Sequence, residues 1–241
     1  RIHESRIPNP RIHQKMPYNW ILFDADNTIL DFDRSEREAL QKALAEADIP
    51  FQDDYNQHYH RINKACWRAF EQGEITPEEL RPRRFKLFFE AIGHQADEHV
   101  VSARYLYHLS QTGFLVDGAM EQLQRLTGKY QMALVTNGLK EVQRPRIKKA
   151  GLTPYFQSII VSDEIGHSKP NASFFEYTFE QIGHPPKDKV LIVGDSLSAD
   201  IRGGAEFGIH TCWYNPGRQE NSLGIAPNYE VAELQKLNAF L

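Results

Sequence analysis

Two carboxylates, Asp24 and Asp26, stand two positions apart where the apolar burst WILF (20–23) gives way to Asn27 and Thr28. Taken alone this is an ordinary turn composition, since Asp and Asn favour turns. Three further polar groups occupy the same kind of position: Thr136-Asn137-Gly138 after MALV, Lys169-Pro170 after SIIV and its following segment, and Gly194-Asp195-Ser196 after VLIV, with Asp200 close behind. Each has a plain alternative reading. Thr136 could cap a helix, Lys169 could be a solvated charge, Asp195 a turn residue and Asp200 a first-turn helix acid. Gathered at one sheet edge, however, carboxylates so numerous repel by several kcal/mol per close pair at an intermediate dielectric, on the order set by Coulomb's law. A cation relieves that repulsion, and an all-oxygen ligand set selects Mg²⁺. A lysine and a threonine beside a metal-bound carboxylate supply what phosphoryl transfer needs: a nucleophile, positive charge for the non-bridging oxygens, and a hydroxyl that orients them.

The elements that must bring these groups together are legible as short buried strands alternating with helices. WILF, MALV, SIIV and VLIV read as strands buried on both faces. Helical patterns cover 119–126, 139–150, 172–182 and 198–207, the last three stopped by Gly151, Gly183 and Gly208. Alternation of this kind predicts an α/β fold with a doubly wound parallel sheet, and such sheets bind ligands at the carboxyl ends of their strands. Residues 35–111 break the alternation with helical periodicity alone, so an all-helical domain is expected to be inserted there. Pro82 lies inside its third pattern and implies a later start or a kink. The catalytic core is then 16–34 and 112–241, the cap domain 35–111, and the tail from Asn215 to Pro227 a turn-rich loop before a last strand and helix. Residues 1–15, ahead of Met16, read as a leader or appended segment outside the fold.

Composition narrows the function classes. The 241 residues are 41% hydrophobic, which excludes a disordered chain, and carry a net charge of −4, which disfavours nucleic acid polymers and anionic membranes as partners. No apolar run approaches a membrane span or signal peptide, so a cytoplasmic location is expected. Cys66 and Cys212 lie far apart and in no zinc spacing.

The set DxDNT, TNG, KP and GDSLSAD resembles the four motifs of the haloacid dehalogenase superfamily, in its phosphatase branch with a helical cap inserted after the first strand. The resemblance covers essentially everything from Met16 onward. It implies Asp24 as the nucleophile that forms an aspartyl phosphate and Asp26 as the general acid and base. Thr136, Asn137 and Lys169 would hold the phosphate. Asp195 would bind Mg²⁺ with Asp24 and the backbone carbonyl of Asp26, and Asp200 would support the metal site.

An open sheet edge with this chemistry hydrolyses many phosphomonoesters, so specificity falls to the cap. Asn63-Lys64, Trp67, Gln72-Gly73, Ile75-Thr76 and Arg84-Phe85, together with TNGLKEVQ, SDEIGHSKPN and TCWYNP, resemble the pyrimidine 5′-nucleotidases that clear unusual nucleotides. The resemblance implies a pyrimidine nucleoside 5′-monophosphate as substrate, with Asn63, Trp67, Arg84 and Phe85 as specificity residues; aromatic side chains on such helices can equally be core. A phosphatase for a sugar phosphate or another small phosphometabolite is the alternative. A receiver-type phospho-switch also gathers acids, a Thr and a Lys at a sheet edge, but it takes its phosphorylated Asp from a middle strand and has no cap.

Overall fold

The computed structural model describes residues 18–241. The expectations for residues 1–15, and for a core beginning at Met16, lie outside the described residues. Six parallel strands form one sheet in the order β3-β2-β1-β4-β5-β6: β1 (Trp20–Phe23), β2 (Gln131–Thr136), β3 (Ser158–Val161), β4 (Val190–Gly194), β5 (His210–Tyr214) and β6 (Tyr229–Val231). The sequence is apolar on both faces of each central strand, and the alternation of side chains splits it cleanly. Ile21, Phe23, Met132, Leu134, Leu191 and Val193 pack into one layer, and Trp20, Leu22, Ala133, Val135, Val190 and Ile192 into the other. Burying both faces requires helices on both, which is the doubly wound arrangement. Strand β5 escapes the apolar-burst criterion because it opens His210-Thr211.

Register fixes the active edge. Phe23 pairs with Leu134 on one side and Val193 on the other. Asp24, Thr136 and Asp195 therefore leave the sheet within about a residue of one another.

Four helices fill the stretch between β1 and β2: α1 (Phe32–Ala45), α2 (Asp53–Glu71), α3 (Pro77–Ile92) and α4 (Glu98–Ser110); α5 (Ala119–Leu126) then leads into β2. Helix α1 begins ahead of the expected Ser35 because the Asp31 side chain accepts the Arg34 backbone N–H at 2.9 Å. Helix α3 starts before Pro82 rather than after it. Thr76 and Glu79 form a reciprocal cap there, with Pro77 in the first turn, where its missing N–H costs nothing. The four helices bury a core of their own, including Ala39, Leu40, Tyr59, Phe85, Phe88 and Tyr105, and this core runs on into Leu139 and Val142 of the sheet domain.

The remaining α-helices among the described residues are α6 (Lys140–Lys149), α7 (Ser162–Ile165), α8 (Ala172–Gln181) and α9 (Arg202–Phe207), the last entered through a wide π turn over Leu197–Ile201. Among the described residues no helix is long and apolar enough to cross a membrane.

Candidate active site

At the end of β1 the chain leaves the pleat through a tight turn. Ile29 and Leu30 donate their backbone N–H groups to the Ala25 carbonyl, at 2.9 and 2.8 Å, and Asn27 sits in the left-handed region at φ 58°. Asn is among the few side chains that accept this conformation readily. Its Oδ1 accepts the N–H groups of Phe32 and Asp33, tying the turn to the start of α1. The turn sends Asp24 and Asp26 to one edge but to different partners.

Asp24 is nearly buried, and its Oδ1 accepts from Lys169 Nζ at 2.6 Å. The same ammonium donates to Asp200 Oδ1 at 2.7 Å and to the Val135 carbonyl at 2.9 Å, so all three donors of a fully buried lysine are used. Carboxylate oxygens of Asp24, Asp195 and Asp200 lie within 4.8 Å of one another. Asp200 is occupied on both oxygens, since Oδ2 takes the Ser196 backbone N–H at 3.1 Å. It packs so closely on Gly194 that a Cβ there would meet Asp200 Oδ2 at 2.2 Å, which explains the glycine of the GDS segment. The Asp195 backbone is pinned by Trp213 Nε1, which donates to its carbonyl at 2.9 Å.

Three acids gather around one lysine, which bonds two of them. Burial pushes the Asp24 carboxyl up to about 7 although Lys169 opposes it, and the neighbouring Asp200 adds to the rise. Burial, then Asp24 and Asp200, hold Asp195 well above the usual carboxylate range. Burial draws Lys169 down, but Asp200 and Asp24 outweigh it and its proton is held more firmly than in water. With all three acids ionised the cluster would carry more negative charge than its own cation balances, and the raised values express that cost. A hard divalent cation with oxygen ligands fits that donor set.

The Asp26 carboxylate stands apart from this group. Its Oδ1 accepts from Arg146 Nη1 at 2.6 Å and its Oδ2 from Gln143 Nε2 at 2.8 Å. Gln143 also donates to Thr136 Oγ1 at 2.7 Å, which turns the threonine hydroxyl proton away and leaves it to donate elsewhere. Neither Gln143 nor Arg146 stands out as chemistry in the sequence. Their signal is spacing alone: both fall on the face of the basic segment KEVQRPRIKK that Val142 and Ile147 bury. The Asn137 side chain meets the backbone N–H and carbonyl of Lys169 with its Oδ1 and Nδ2, at 2.9 and 2.8 Å, so it places the lysine while the residue itself lines the cavity.

One cavity of about 310 Å³ joins these groups to the cap, whose wall includes Glu36, His60, Asn63, Trp67 and Arg84. Buried Glu36 accepts from Asn63 Nδ2 at 2.7 Å and pairs with His60 Nδ1 at 2.8 Å, and Arg84 Nη1 donates to Asn63 Oδ1 at 3.0 Å. The bond to Glu36 raises the His60 pKa against the effect of burial. Trp67 lines the cavity and packs edge-on against Phe70 with ring centroids 5.6 Å apart. Phe85 corrects an expectation: it is fully buried between Tyr59 and Tyr105 in the cap core and is absent from the cavity wall. Its size and apolar character suit the core better than a polar cleft.

The profile of the haloacid dehalogenase-like hydrolases matches residues 18–208. The chain belongs to that family. Among its relatives, the pyrimidine 5′-nucleotidase PynA of Streptococcus pneumoniae is 39% identical over 92% of this chain and 94% of its own. The pyrimidine 5′-nucleotidase YjjG of Escherichia coli is 32% identical over 94% of this chain and 99% of its own. The HAD-hydrolase YfnB of Bacillus subtilis, whose crystal structure was solved bound to magnesium, superposes with a TM-score of 0.88 at 38% identity, over 92% of this chain and 98% of its own. As a member of this hydrolase family the chain is an enzyme.

Proposed function

We propose that this hydrolase is a Mg²⁺-dependent phosphomonoesterase that works through an aspartyl phosphate and prefers pyrimidine nucleoside 5′-monophosphates. The observation that carries the reading is the single cavity running from the acid cluster at the strand ends to a buried polar network in the cap. Similarity to PynA and YjjG supports the choice of substrate.

In this reading Asp24 attacks phosphorus, the bond from phosphorus to the ester oxygen breaks, and the carboxyl proton of Asp26 passes to the leaving alkoxide. Water then attacks the phosphoryl group as Asp26 takes its proton, and the Asp24 carboxylate is released with inorganic phosphate. The Thr136 hydroxyl holds a phosphoryl oxygen, and the Lys169 ammonium supplies positive charge beside the phosphoryl group, exchanging one of its present bonds when the phosphate arrives. Asp24, Asp195 and the Asp26 carbonyl would hold the metal, with Asp200 in support. When bound, Mg²⁺ supplies positive charge that lets one anion approach another.

Asn63, Trp67 and Arg84 line the part of the cavity where a base would sit. Binding energy gained there, remote from phosphorus, orders the cap over the reacting groups. The test is kcat/KM for deoxyuridine or thymidine monophosphate against a purine monophosphate and a hexose phosphate at fixed Mg²⁺. The pyrimidine nucleotide should lead. A hexose phosphate ahead by tenfold or more, about 1.4 kcal/mol, overturns the nucleotidase reading and leaves the phosphatase chemistry standing.

A further inference from the structure

Helix α6 is strongly basic, and Arg144, Lys148 and Lys149 lie on its open or partly open face. Arg146, by contrast, is 1% exposed, as is Gln143 one turn before it. A guanidinium is costly to bury unless a carboxylate meets it well. Its partner is Asp26, and Gln143 completes the grip on the second carboxylate oxygen. Gln143 Oε1 in turn accepts from Arg146 Nη1 at 2.9 Å, so the two side chains brace each other.

Two further features show that the space is built around this pair. A Cβ on Gly138 would meet the Gln143 side chain at 2.7 Å, and Gly138 is not among the glycines with positive φ, so its glycine serves room rather than conformation. On the other side Arg146 Nη2 reaches Ser35 Oγ at 3.4 Å and its guanidinium lies 5.6 Å from the Phe32 ring, both on cap helix α1.

We infer that Gln143 and Arg146 are positioning residues for the reaction: they clamp the Asp26 carboxylate in the orientation from which it serves the leaving-group oxygen, and through Gln143 they set the Thr136 hydroxyl toward the phosphate. The inference rests on the phosphatase reading above. Neither residue touches phosphorus. Each acts through Asp26 or Thr136, and the contact with α1 ties that geometry to the cap.

The readout is dependence on the leaving group. An alkyl phosphate needs a proton at the departing oxygen, whereas 4-nitrophenyl phosphate releases a stable phenolate and barely needs one. In Arg146→Met, kcat/KM for the alkyl ester should fall about 100-fold and for the aryl ester less than about fivefold, in line with the contribution of a positioned general acid, whereas Gln143→Leu, which also frees the Thr136 hydroxyl, should lower both and the alkyl ester by about tenfold more. Asp26→Asn should show the same asymmetry, and adding Arg146→Met to it should cost almost nothing more on the alkyl ester, because the arginine acts through the missing acid. Gly138→Ala, which crowds Gln143 from the other side, should reproduce the pattern.

Thermal melting and Mg²⁺ affinity identify variants that fold. If Arg146→Met does not, Gln143→Leu and Arg146→Lys carry the comparison. Equal losses on the two esters, or additive losses in the double variant, overturn the clamp. Wild-type enzyme inert toward both esters and toward nucleoside monophosphates overturns the phosphatase reading and the clamp with it.

Discussion

Replacing Lys169 by Met removes the ammonium that Asp24 and Asp200 share. Its Nζ lies 2.6 Å from one and 2.7 Å from the other, and oxygens of three acids lie within 4.8 Å. At an effective dielectric of about 20, each charged pair at that separation repels by on the order of 3 kcal/mol. Taking one partner from a buried ion pair costs about 3–5 kcal/mol, which for a chain of this size lowers Tm by roughly 10 °C.

The loss should grow with pH. Asp24 already binds its proton more tightly folded than unfolded, about 7 against 3.8, so in the metal-free protein its share of stability declines as pH rises from about 4 to about 7. Removing the lysine lifts the folded pKa further and deepens that decline. Melting without metal at pH 5.5 and at pH 8 tests this, with exposed Lys129→Met as control. The Lys169 variant should lose more at pH 8. An equal loss at the two pH values, or a loss no larger than that of Lys129→Met, refutes the shared-cation account.

Asp195→Asn should weaken Mg²⁺ binding and recover part of its activity at high metal concentration, whereas Asp26→Asn, whose carboxylate faces Arg146 and Gln143, should bind the metal with unchanged affinity. Normal affinity in Asp195→Asn, measured by calorimetry, contradicts the ligand set. Because metal binding requires deprotonated ligands and burial raises both Asp24 and Asp195, Mg²⁺ uptake at pH 6.5 should release protons, less so as pH rises past the Asp24 value of about 7. Titration in two buffers of different ionisation enthalpy reads the release directly, and none at pH 6.5 contradicts the electrostatics.

The parallel sheet and its active edge are legible in the sequence because buried strands print as continuous apolar runs and polar residues fall where those runs end. Asp24, Thr136 and Asp195 announce themselves in this way, while Lys169 lies beyond α7, well past the end of β3, and is marked only by the proline that follows it. Strand β5 does not, since His210 and Thr211 dilute its apolar signal. Gln143 and Arg146 are hidden for a different reason. In a helix crowded with basic residues, composition does not say which arginine is inside; that follows only from which acid lies across the gap, and Asp26 is 120 positions away from Arg146. Phe85 and Trp67 illustrate the same limit on the apolar side, since both are aromatics on amphipathic helices, yet one fills the cap core and the other walls the cavity.

In the proposed mechanism Asp24 is the covalent nucleophile. Asp26→Asn enzyme, which lacks the base for the second step, is mixed with Mg²⁺ and 4-nitrophenyl phosphate, whose leaving group barely needs an acid, then quenched, reduced with borohydride and digested, so that an acyl phosphate at position 24 is read by mass as homoserine in place of aspartate. The modification should appear on the peptide carrying Asp24, depend on substrate and metal, and be missing from an Asp24→Asn control. Phosphate release by wild type with no such modification, or modification on another carboxylate, contradicts the mechanism.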